Sequence, residues 1–184
     1  PIAPGIIEQG EIKKGAELSS LLKEALQKVS TPSSTRGVQG EPLNTSLVAV
    51  SLPEEKAFLQ VIQLPRVQPQ ELESAIRYES ENYIPYPLES VYLDHQVVTP
   101  LADHLDHVDV LLASLPRQTV EAYLSAIQQA GLKPLAFEIE SLALSRALVP
   151  KETSPLPVLL ADMGATRTRL VIFSGSSLRL TTSL

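Results

Sequence analysis

Apolar side chains recur along this chain with two periods, and each switch between them marks an element. Leu18, Leu21, Leu22, Ala25, Leu26 and Val29 fall at i, i+3, i+4, i+7, i+8 and i+11, the stripe of an amphipathic helix, with Lys23 and Lys28 off the stripe. Thr31-Pro32-Ser33-Ser34-Thr35 ends it, and a polar loop with Gly37 and Gly40 runs on to Pro42. Ahead of the helix, Ile6, Ile7 and Ile12 flank Gly10 and read as the tail of a strand or hairpin. Leu47-Val48-Ala49-Val50 predicts a short buried strand. Ala57 to Leu64 predicts a second, with Leu59 and Val61 on one face and Phe58, Ile62 and Leu64 on the other, a pattern that suits a central strand.

Pro69 opens the next helix near its first position, and Glu71 and Glu73 sit in its first turn, where carboxylates suit the helix dipole. Leu72, Ala75, Ile76 and Tyr83 share one face of it, and Pro85 and Pro87 bracket the exit. Val91, Leu93 and Val97 alternate with Tyr92, Asp94 and Gln96 as a strand; His95 is in phase with the apolar set and reads as a hydrogen-bonded histidine at the core's edge. A further strand, His107 to about Leu115, puts Val108, Val110 and Leu112 on one face, with the acidic loop Ala102–Asp106 closing the hairpin. A helix from about Pro116 carries Val120, Tyr123, Leu124 and Ile127 on one face and stops at Gly131. Leu135, Phe137 and Ile139 alternate as a strand, Ser141 to Leu148 forms a short apolar helix, and Pro150, Pro155 and Pro157 mark a linker. The last segment reads as a three-stranded meander: Val158–Ala161, Leu170–Phe173 and Leu178–Leu184, with turns at Asp162–Thr166 and Ser174–Ser177.

Composition narrows what such a fold does. Of 184 residues, 43% are hydrophobic and 20% charged, which supports a packed core. There is no cysteine, so disulfides, thiolate metal sites and cysteine nucleophiles are excluded. The net charge of −6 contains no basic run, which argues against nucleic acid as the main partner, since phosphate binding needs clustered cations. No apolar run approaches the ~20 residues that cross a bilayer.

The loop Asp162-Met163-Gly164-Ala165-Thr166-Arg167-Thr168 carries the most specific chemistry. A glycine bend brings backbone N–H groups close to phosphate oxygens, Thr166 and Thr168 add hydroxyl donors, and a strand-end carboxylate suits hydrated Mg²⁺. An ordinary hairpin turn uses Asp and Gly as well. Residues Asp103 to Asp109, with His104 and His107, carry metal-ligand types, but the chain offers no convincing further ligands and a solvated loop explains them. Tyr78, Tyr83, Ile84, Pro85, Tyr86 and Pro87 form an aromatic, proline-rich helix exit that suits either a peptide-docking surface or a cap on the local core.

The order of these segments resembles a known family. Phe58–Pro65, Glu71–Glu79, Tyr83–Glu89, Leu93–Val97, Gln129–Pro134, Glu140–Ala147 and Asp162–Thr166, with the opening Gly5–Ile12, are together similar to the type IV pilus assembly protein PilM. The resemblance implies an α/β, actin-like fold of two RNase H-like lobes clasping a nucleotide, close to the division protein FtsA, with an inserted α+β subdomain. It divides the chain into a partial first lobe at 1–52, an inserted β-α-β-β-α-β subdomain at 53–139, a return helix and linker at 140–155, and the start of the second lobe at 156–184. The second phosphate loop then maps to Asp162, Gly164, Thr166 and Thr168.

The implied function is a cytoplasmic scaffold at the inner-membrane face. It binds the N-terminal cytoplasmic tail of PilN together with other pilus-assembly proteins, and takes ATP and Mg²⁺ in the full-length parent, at most as a weak ATPase. Tyr83, Ile84, Pro85 and Tyr86 are the expected partner surface. No catalytic residue, metal ligand, nucleic-acid partner or membrane insertion is expected. Pro1 and Leu184 read as lying inside folding units, so the chain is expected to be an internal, catalytically inactive segment, incomplete at both ends. The rival readings are an actin-fold enzyme such as a sugar kinase or Hsp70-like ATPase, an FtsA-like division protein, and a type II secretion relative.

Overall fold

A computed structural model describes residues 4–30, 45–98, 106–164 and 167–184. In chain order its elements are β1 (Ile7–Glu8), β2 (Glu11–Ile12), α1 (Gly15–Ser30), β3 (Leu47–Leu52), β4 (Phe58–Pro65), α2 (Pro69–Tyr83), β5 (Val91–Val98), β6 (His107–Pro116), α3 (Arg117–Gln129), β7 (Lys133–Ile139), α4 (Glu140–Leu148), β8 (Ser154–Met163), β9 (Thr168–Gly175) and β10 (Ser177–Ser183). Packing groups them into two compact units, Pro1–Glu55 with Gln118–Glu138, and Lys56–Arg117 with Ile139–Leu184. These units are defined by packing, whereas the boundaries at 52/53, 139/140 and 155/156 follow the lobes of the resemblance and stand as a proposal.

In the first unit, β1 and β2 form a small hairpin of their own, closed by Gln9 (φ 47°) and Gly10 (φ 76°). Two successive positive φ angles give the turn whose twist matches paired strands. A Cβ on Gly10 would also meet Pro53 at 3.0 Å, so this position needs glycine twice over. The stripe of α1 behaves as its period predicts: Leu18 packs with Ile6 and Ala126, while Leu22 and Leu26 pack with Ile127, Ala130 and Leu132. The α1–α3 contact is sealed by Ser19, whose hydroxyl reaches the Gly15 carbonyl at 2.8 Å and the Ala126 carbonyl at 3.0 Å. β3 pairs with β7. The alternation in β7 misleads at one point, because Leu135 is 70% exposed while Ile139 is buried.

The second unit is a sandwich. One sheet has the order β4-β6-β5, all antiparallel. β4, expected to be central, is an edge strand, and β6 is the central one. The two-faced apolar pattern of β4 has another cause: the sheet is covered on both sides. On one face, Ile62 and Leu64 of β4 and Val110 and Leu112 of β6 pack with Ile76 of α2. On the other, Leu111 and Val98 join Leu160, Val171, Phe173 and Leu178 of the meander β10-β9-β8, with Leu59, Val61, Leu142 and Leu144 around them. Val91 and Val98 therefore serve opposite faces of β5. The expected buried set Val91, Leu93, His95 and Val97 holds only at its start; His95 is exposed and Val97 is 50% exposed.

Two more expectations change. The segment read as a proline linker lies largely in β8, which begins at Ser154 and includes Pro155 and Pro157. β8 is an edge strand, where a missing N–H costs no ladder bond, and the register shifts between Ser154 and Val158. On α2, Tyr83 is exposed and Ser80 is wholly buried, its hydroxyl donating to the Ile76 carbonyl at 2.6 Å. A serine that satisfies itself on its own helix packs as a small apolar residue.

Asp109 is a buried carboxylate in the middle of this unit. The Arg179 guanidinium lies 3.2 Å from it and donates through Nε to the Ser174 carbonyl, so β10 is pinned to β6 by charge as well as by packing. His107 Nε2 lies 3.4 Å from Asp109 and 3.0 Å from the Gln63 amide nitrogen.

Burial ranks leucines that the sequence pattern treats alike. Leu112→Ala is expected to cost about 3 kcal/mol, the range for cavities in a closed core, while Leu135→Ala is expected to leave stability within about 0.5 kcal/mol. Urea midpoints of the two variants check this.

Candidate functional site

The turn between β8 and β9 is built by its ladder. Ala161 pairs with Leu170, Asp162 with Arg169, and Met163 with Thr168. Gly164 then donates its N–H to the Arg167 carbonyl at 2.9 Å, closing the hairpin. A Cβ on Gly164 would stand 3.2 Å from that carbonyl oxygen, so glycine permits the close approach. Thr166, expected to offer a hydroxyl, lies with Ala165 outside the described residues. The Thr168 main chain pairs with Leu184, donating at 3.0 Å and accepting at 2.8 Å.

The carboxylate of Asp162 faces an arginine. Arg169 Nη1 lies 3.2 Å from Asp162 Oδ2, and Arg169 Nη2 is hydrogen-bonded still more closely to Glu140 Oε2. Glu140 is the first residue of α4, where its charge suits the helix dipole. One guanidinium therefore joins the end of β8, the start of β9 and the start of α4. One oxygen of Asp162 thus already faces a cation of the protein itself, which competes with a hydrated Mg²⁺ at this carboxylate. The Gly164 N–H is turned to the Arg167 carbonyl.

The Asp-x-Gly-x-Thr motif points to neither Arg169 nor Glu140. Hairpin register does point to Arg169: a turn closed by Gly164 and Arg167 forces residues 162 and 169 into opposite positions. Glu140 had no such local signal.

At the helix exit, the four candidate partner residues separate into two kinds. Ile84 is buried with Leu88 and Val91, an anchor in the core. Tyr83, Pro85 and Tyr86 are exposed around it. Nearby, the Arg117 guanidinium stacks over the Tyr92 ring, 4.3 Å from its centroid, and donates to the Glu89 carbonyl at 3.0 Å. Tyr78 on α2 is the most open of the rings at 71% exposure. Of the histidine–aspartate segment, 103–105 lie outside the described residues, and no group of three metal-ligating side chains occurs among those described.

The family model for type IV pilus assembly protein PilM matches residues 1–179. The chain belongs to the PilM family. The solved PilM–PilN type IV pilus biogenesis complex contains a chain 29% identical to this one, with a TM-score of 0.77 over 100% of this chain and 52% of that one. The chain thus spans about half the length of that relative. The cytoplasmic domain of EpsL, an inner-membrane component of the type II secretion system of Vibrio cholerae, is 16% identical, with a TM-score of 0.56 over 90% of this chain and 56% of that one. At that identity the likeness shows the fold alone. The α/β, actin-like fold class expected from the resemblance to PilM holds. No helix among the described residues is long and apolar enough to cross a membrane.

The division of the helix exit into anchor and surface is testable by stability. Ile84→Ala is expected to cost about 3 kcal/mol, and Tyr86→Ala under about 1 kcal/mol, in chemical denaturation of the same protein.

Proposed function

We propose that the intact protein is a cytoplasmic scaffold of type IV pilus biogenesis that holds the N-terminal cytoplasmic tail of PilN. It is thereby placed at the inner-membrane face through its partners. The observation that carries this reading is the likeness to the PilM–PilN complex over the whole of this chain. The exposed Tyr83, Pro85 and Tyr86, held on the buried Ile84, are the part of that surface we assign to partner contact. Aromatic rings on a rigid support bury large area with little loss of rotamer freedom, which suits peptide capture.

ATP is a proposed ligand of the intact protein, with hydrolysis weak at most. That part rests on the family's fold, since Asp162 and Gly164 are committed to other bonds. Nothing in the site supports a kinase-type enzyme over a scaffold, and the EpsL likeness carries no function.

The test is titration of the intact protein with a PilN tail peptide, followed by fluorescence anisotropy. Binding near about 1–10 μM is expected, weakened about tenfold or more by Tyr83→Ala with Tyr86→Ala. Absence of binding by the wild type would remove the scaffold reading. Unchanged affinity in the double variant would move the contact surface elsewhere on the fold.

A further inference from the structure

We propose that Arg169 takes the place a divalent cation would hold beside Asp162, so that this turn is neutralised from within and Asp162 is a counter-ion of the fold. The proposal deepens the nucleotide part of the reading above and rests on placing the second phosphate loop at this turn.

Three observations carry it. First, Asp162 and Arg169 are directly opposite in the β8–β9 ladder, so the pair follows from the hairpin's register and not from a chance rotamer. Second, the Arg169 side chain is 5% exposed, and its two terminal nitrogens engage carboxylates from different elements, Asp162 and Glu140. A guanidinium this buried is tolerated only with carboxylates against it, and two carboxylates this close repel unless a cation stands between them. The three groups thus require one another, and the planar fork of arginine matches two acceptors at once. Third, the Gly164 N–H closes on the Arg167 carbonyl, so this donor too is engaged within the protein.

The two arms of the bridge differ. The Glu140 side chain is 30% exposed and makes the closer contact, whereas Asp162 is 47% exposed and looser. Neutralising Asp162 therefore leaves Arg169 paired with Glu140, and that variant retains the buried ion pair. Removing Arg169 instead strands both carboxylates, and they acquire affinity for an external cation.

The experiment uses Mn²⁺ as the probe, with uptake by the intact protein read from electron paramagnetic resonance of the free ion, alongside melting temperatures. Asp162→Asn is expected to leave Mn²⁺ uptake at the wild-type level. Arg169→Gln is expected to take up more Mn²⁺ than the wild type, and the double variant Arg169→Gln with Asp162→Asn to lose that gain. The melting temperature should fall in Arg169→Gln and recover partly in the double variant, since one stranded carboxylate is gone. Mn²⁺ uptake by the wild type that Asp162→Asn abolishes would overturn the proposal, as would an Arg169→Gln protein that folds and gains none. If Arg169→Gln does not fold, the Asp162→Asn arm decides alone. Binding of a fluorescent ATP analogue by the wild type is measured separately. Its absence would remove the nucleotide reading while the Mn²⁺ arms still decide the role of Arg169.

Discussion

The second unit depends on one constraint, the burial of β6 on both faces. Val110 and Leu112 point to one side of the sheet and Leu111 to the other, and all three are buried. A strand with apolar residues at both parities needs two covers, since its side chains alternate between faces. α2 supplies one through Ile76, and the meander with α4 supplies the other. Each buried aliphatic side chain contributes about 1.5–3 kcal/mol, so neither cover is dispensable. Asp109 is the exception in this strand, and its charge is what makes Arg179 of β10 necessary. A buried carboxylate contributes little net stability when paired, but removing its cationic partner costs much more.

How far this was legible from the sequence varies with the physics of each element. Helical stripes survive well, because Leu18, Leu21 and Leu22 mix odd and even positions and share one face only in a helix. Strand patterns survive less well, because alternation says which residues share a face and not what covers it. Val97 and Leu135 alternate correctly and are exposed all the same. The two-faced apolar pattern of β4 suits a central strand, yet an edge strand between two covers has the same composition. Ser19, Ser80 and Ser145 hide in the opposite sense. Each bonds a carbonyl four residues earlier and is buried, which polarity alone would not suggest.

The site shows the same division between local and tertiary information. The partner of Asp162 across the hairpin follows from counting outward from the closing pair Gly164 and Arg167. A motif reading of Asp-x-Gly-x-Thr passes over that step, because it treats the carboxylate as available. Glu140 comes from a helix more than twenty residues earlier in the chain, and no local pattern links it to the turn. Such tertiary partners decide whether a recognised motif keeps the chemistry of its family or only the shape.

This distinction bears on what kind of protein the fold supports. Metal-assisted phosphoryl chemistry needs carboxylates free to take a cation and backbone donors aimed at phosphate. At this turn Asp162 and the Gly164 N–H both bond within the protein, to Arg169 and to the Arg167 carbonyl. Rigid elements also present a surface without an ordering cost at binding, which is what the proposed scaffold role asks of this fold. Ile84 illustrates this economy: one buried side chain between two exposed tyrosines anchors the backbone that carries both rings, so the core sets where the proposed partner surface begins.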